Sequence, residues 1–183
     1  MSHFNKYRNI NRNKPLKCTN FNRIRGGGNG QWDERQLVLD LSKNSWKKYC
    51  IQIDSQEHDI TKRDIKNLKT DNISHNEYMI NLSKYLFTIC VHGGGIDVNP
   101  KLFEALLVGV IPIIRKNPPY TNIYKDLNLP VVMIDEWNEN TITYDNLIKW
   151  KNKYYKYFEN KDSYKDILNK LSLDYYVTYV STI

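Results

Sequence analysis

The segment from His92 to Ile114, HGGGIDVNPKLFEALLVGVIPII, constrains this chain more than any other. Three glycines, a helix and a buried strand follow one another there without a break. Gly93, Gly94 and Gly95 let the backbone approach a ligand closely, since no Cβ stands in the way. Asn99 and Pro100 make a helix start, with a capping side chain followed by a φ preset for the first helical position. The helix is expected over 100–108, with its stop at Gly109. Its N-terminus points unpaired N–H groups and a partial positive charge into the glycine loop, which suits a phosphate or pyrophosphate.

Leu102, Phe103, Ala105, Leu106, Leu107 and Val108 cover most of that helix, so it should lie buried against a sheet. Glu104 interrupts them. A carboxylate in such a position costs free energy unless something donates to it, and a ribose diol is one such donor. The other reading of Glu104 is an ordinary helix residue, solvated or paired with a lysine.

Along the whole chain, short apolar runs alternate with helical patterns. Strands are expected near 16–21, 49–53, 86–91, 111–115 and 130–134, and helices near 32–42, 60–68, 74–84, 100–108, 119–127, 144–159 and 161–170. Runs such as FTICV and VIPII lack polar alternation, so both faces of their sheet should be covered. This is the pattern of an α/β fold with a doubly wound, Rossmann-like parallel sheet. A length of 183 residues suits a single domain. Residues 1–14 read as a polar, basic arm, and 15–183 as the domain, with a C-terminal helical segment from about 144.

A formal net charge of +7 is compatible with an anionic partner. Asn, Lys, Ile and Tyr, which A/T-rich codons encode, are all abundant, so part of the basicity reflects composition and not ligand. In the tail, KWKNKYYKYF interleaves lysine with aromatics, a pattern that can stack bases. Against nucleic-acid binding, Leu147, Trp150, Tyr154, Tyr157 and Phe158 recur at helical spacing and read as a packing face.

The three cysteines, Cys18, Cys50 and Cys90, show no CxxC pair and read as buried thiols in a reducing compartment. The four histidines show no metal spacing, and no protease-like triad is visible. No apolar run approaches the ~20 residues that span a bilayer, and no apolar stretch follows the basic start to form a secretory signal. These features lead us to expect an intracellular, cytoplasmic protein without a membrane span.

The run FTICVHGGGID followed by PKLFEALLVGVIPII resembles the donor-nucleotide half of exostosin-like glycosyltransferases, which have the two-domain GT-B architecture. PLKCTNF with Arg23, Arg25 and DERQLVLDL resembles the opening strand and helix of that half. ISHNEYMINLSKYLFTIC resembles the helix and strand leading to the glycine loop, and PVVMIDEW the strand and Trp that follow it. The likeness spans roughly residues 15–140 and is strongest over 85–115. Many relatives carry Arg where this chain has Lys101, and Trp where it has Phe103. Ile96 stands where the wider group often has a second acidic residue, with Asp97 one position later, so the paired glutamates of retaining enzymes are not implied.

The resemblance implies a glycosyltransferase, hexosyl in type, that moves a sugar from a nucleoside diphosphate donor to an acceptor, glycan or protein. No obligatory metal or other cofactor is implied, because a helix N-terminus and basic residues stabilise the leaving diphosphate. The loop Gly93, Gly94 and Gly95, capped by Asn99, would hold phosphate with Arg25 and Lys101, and Glu104 would grip ribose.

Other readings of these residues stay open. Arg25 precedes the glycines of RIRGGGNG, which make either a second phosphate loop or a mobile turn. His92 either faces the donor or is a hydrogen-bonded rim residue. Asp97 is expected to orient the loop rather than to catalyse. Asp135, Glu136 and Trp137 follow a strand at the edge where ligands bind, although Trp137 would serve equally to cover the core.

The likeness covers only the donor half, so the catalytic base is expected from the acceptor half and is assigned to no residue here. That half, supplied by a second chain for instance, would complete the enzyme. The alternative function is a non-catalytic nucleotide-sugar-binding or partner-binding remnant. A nucleic-acid-binding protein is the least favoured reading.

Overall fold

The computed structural model describes residues 6–7, 13–21, 33–52, 74–92, 100–117 and 121–181. The expected strand segments form β1 (Cys18–Asn20), β2 (Cys50–Gln52), β3 (Phe87–Ile89), β4 (Ile111–Arg115) and β5 (Val132–Ile134). They make one sheet in the order β2-β1-β3-β4-β5, and every neighbouring pair is parallel. All of β3 and the first four residues of β4 are buried, as runs without polar alternation require when both faces are covered. The fold is a single α/β, Rossmann-like domain.

Between these strands lie α1 (Asp33–Lys43), α2 (His75–Ser83), α3 (Pro100–Leu107) and α4 (Asn122–Asp126). α2 begins with a complete capping box: the Ser74 hydroxyl accepts from the Glu77 N–H while the Glu77 carboxylate accepts from the Ser74 N–H. α3 ends in a Schellman motif at Gly109, whose φ is +73°. There the Val110 N–H donates to the Ala105 carbonyl at 2.9 Å and the Gly109 N–H to that of Leu106 at 3.3 Å. The expected helix near 60–68 falls outside the described residues.

The buried side chains form two sets. In the larger, Val38 and Trp46, from α1 and the turn after it, and Leu102 and Leu106 of α3 join Cys18, Cys50, Phe87, Ile89, Ile111 and Ile113. In the smaller, Met79 and Leu82 of α2 and Ala105 of α3 join Phe21, Val108, Val110 and Tyr7. Tyr7 and Lys14 belong to the segment read as a polar arm, yet both are buried. The Tyr7 hydroxyl donates to Asn76 at 2.7 Å, and the Lys14 ammonium donates to the Gly109 carbonyl at 3.2 Å.

The C-terminal segment is a packing layer made of α5 (Tyr144–Tyr154), α6 (Lys156–Glu159), α7 (Lys161–Lys170) and α8 (Leu173–Ser181). Leu147, Tyr155, Phe158, Tyr164 and Ile167 are buried, and the Trp150 ring meets Phe87 edge-on at 6.3 Å. The continuous helix expected over 144–159 is interrupted by a turn at Tyr155, which keeps helical dihedrals. α8 was not expected, because its β-branched and aromatic residues mask a Ser172 cap whose hydroxyl accepts from the Tyr175 N–H. None of the described helices is long and apolar enough to cross a membrane. Cys18, Cys50 and Cys90 are buried free thiols, and Cys18 and Cys50 stand directly opposite each other across the β1–β2 pair.

Candidate functional site

A sheet ordered 2-1-3-4-5 reverses its winding between β1 and β3, and in open α/β sheets ligands bind beyond the carboxyl ends of the strands at that point. The chain leaves β1 at Phe21 and β3 at His92, and α3 begins at Pro100 after the glycine loop. Of the candidate residues, Lys101, Glu104 and His92 can be placed against these strand ends.

Lys101, in the first turn of α3, reaches across to the end of β1, where its ammonium donates to the Phe21 carbonyl at 2.8 Å. Glu104, one turn further, accepts a hydrogen bond from the Tyr78 hydroxyl of α2 at 2.8 Å. The Tyr78 ring packs edge-on against Phe21, with centroids 4.8 Å apart. Cys90, just past β3, is buried and lies within the fields of both Lys101 and Glu104. Burial mainly, with Glu104 adding to it and Lys101 opposing it, pushes its thiol up to about 12. The structure therefore gathers Lys101 and Glu104 over the ends of β1 and β3, with Tyr78 and Phe21 forming the wall beside them.

Burial and the adjacent Glu104 carboxylate hold the Tyr78 phenol well above its usual range, so it remains a donor at ordinary pH. Tyr78 was not singled out in the sequence. The only available sign was its place in NEYMIN, on the helix that, with the strand after it, leads to the glycine run.

His92 is anchored on two sides. Its ring Nε2–H donates to the Arg115 carbonyl at 3.2 Å, and its own carbonyl accepts from Arg35 Nε at 3.3 Å. It sits past the end of β3 as a hydrogen-bonded residue. Arg25, Gly93, Gly94, Gly95, Asp97 and Asn99 lie outside the described residues.

On the opposite face, Glu34 in the first turn of α1 accepts from Arg115 Nε at 2.7 Å and from the Trp137 indole N–H at 2.6 Å. Trp137 is buried, 6.0 Å from Trp46, and so covers the core. Asp135 pairs with Lys116 at 2.6 Å, and Glu136 accepts from the Asn138 side chain. These groups brace the strand ends with one another. Among the described residues, no three His, Cys, Asp or Glu side chains gather closely enough to hold a metal ion.

The first turns of α3 thus bring a cation and a carboxylate beside a helix N-terminus at the ends of β1 and β3, a set of a kind able to take an anion and a neighbouring hydroxyl pair. No protein-family model matches the chain, and no curated protein sequence matches it.

Proposed function

We propose that this domain binds a nucleoside diphosphate sugar and acts as the donor half of a glycosyltransferase of the exostosin-like kind. The observation that carries the reading is the convergence of Lys101 and Glu104 over the ends of β1 and β3, at the winding reversal of the sheet. In this reading the glycine loop and the start of α3 take the diphosphate, with Lys101 and Arg25 adding charge, and Glu104 takes the ribose hydroxyls. As the bond from the sugar to the diphosphate breaks, negative charge grows on the leaving phosphate, and these groups stabilise it. The acceptor, glycan or protein, and the base that activates it come from an opposing wall, which another domain or a second chain supplies. The three buried free thiols fit an intracellular setting.

Titration of the chain against a panel of nucleoside diphosphate sugars, with transfer and hydrolysis measured in the same samples, tests this directly. Saturable binding with one base preferred, weakened in Lys101→Ala, is the expected outcome. Slow hydrolysis without efficient transfer should accompany it, because half a cleft neither holds the acceptor nor excludes water. Binding of no member of the panel overturns the reading.

A further inference from the structure

We infer that Tyr78 is a positioning residue for sugar recognition, holding the Glu104 carboxylate in the orientation that accepts the two ribose hydroxyls. This inference rests on the donor-site reading above.

A glutamate carboxylate turns about a broad, roughly two-fold terminal torsion, so a Glu on a helix does not present a fixed pair of lone pairs unless something pins it. The Tyr78 hydroxyl pins one oxygen, donating to Glu104 Oε2 at 2.8 Å. Tyr78 is itself well placed to be rigid. It lies on a helix with a complete capping box, and its ring is set edge-on against Phe21, which is 7 % exposed.

The chemistry of the pair fits recognition of a diol. A carboxylate has about four lone-pair positions, and the phenol fills one, leaving the others for donors. A vicinal diol brings two O–H groups at a spacing that matches the two oxygens of one carboxylate. The same Phe21 that backs Tyr78 gives its carbonyl to Lys101. One short stretch at the end of β1 therefore sets both the cation and, through Tyr78, the carboxylate.

The test uses the full chain and four pairs of probes: ADP, CDP, GDP and UDP, each beside its 2′,3′-dideoxy counterpart. The quantity read is the ratio of dissociation constants within the pair that binds best. A general loss of stability, or of affinity for the base and diphosphate, cancels in this ratio, which isolates the hydroxyls. In the wild type, the ribonucleotide is expected to bind at least about tenfold more tightly, the size of a hydrogen bond to a charged group. Glu104→Ala should bring the ratio near one. Tyr78→Phe, which keeps the ring and deletes only the donor, should lower the ratio by about threefold or more.

A Tyr78→Phe ratio equal to that of wild type, with Glu104→Ala still losing discrimination, overturns the positioning role and leaves the donor site standing. A wild-type ratio near one, or no binding by any of the eight probes, overturns the ribose assignment and this inference with it.

Discussion

Lys14 carries charge where charge is costly. It is 5 % exposed, and burial pulls its ammonium from 10.5 down to about 8. Because the folded-state pKa lies below the unfolded one, the unfolded chain keeps the proton longer as pH rises. Stability therefore increases between pH 8 and 10.5, and the penalty is present in full below that window. Lys14→Met removes the titration while keeping much of the volume. The stability difference between wild type and variant should shift toward wild type by on the order of 2 kcal/mol between about pH 7 and about pH 9.5. Urea melts of both proteins at the two pH values read this shift, and a difference independent of pH would mean that the ammonium is solvated. At the same scale, Glu104 was legible in the sequence as a carboxylate among apolar neighbours, but its partner was not. Tyr78 lies 26 positions away, and the donors to Glu34 lie 81 and 103 positions away. Local pattern shows which group needs a partner, and only the fold decides which one it meets.

Elements were easier to read than contacts. All five strands fall inside the ranges read from the sequence, most plainly β4, whose run is apolar up to Arg115, whereas β1 buries Thr19 and Asn20 and satisfies both by hydrogen bonds to Phe87 and Ser42. The end of α3 was legible for a different reason. Gly109 sits at a φ of +73°, which L side chains rarely adopt, and an added Cβ would meet the Phe158 ring only at an ordinary 3.8 Å. Gly109→Ala should therefore destabilise by roughly 1–2 kcal/mol through backbone strain and not through a clash. Gly109→Asn should recover part of that loss, since Asn tolerates this conformation. Equal melting temperatures for the alanine variant and wild type would refute the strain account. α4 ends in the same way at Asn128, φ 50°, where the Leu129 N–H donates to the Tyr124 carbonyl. The helix expected near 119–127 does stop there, with Leu127 as its C-cap, whereas the turn at Tyr155, helical in its dihedrals, gave no warning.

Across the whole molecule, the tail decides how the basic charge should be understood. Its buried side chains seal the sheet, while Lys149, Lys153 and Lys156 are exposed. Leu147→Ala should cost roughly 2–5 kcal/mol, as for other fully buried leucines, whereas Lys149→Glu should stay within about 0.5 kcal/mol. Thermal melts of the two variants test the packing layer, and the reverse ranking would refute it. The layer also reaches the site. At the foot of α3 the Leu107 carbonyl accepts from the Tyr164 hydroxyl at 2.5 Å, and the Gly109 carbonyl accepts from Lys14. The helix that bears Lys101 and Glu104 is thus fastened by one group that precedes β1 and one that follows β5. Along the chain these lie far apart: Lys14 precedes every strand of the sheet, and Tyr164 follows every one. In a chain made from its N-terminus, the carbonyl of Leu107 therefore gains its Tyr164 donor only after the last strand of the sheet has been made.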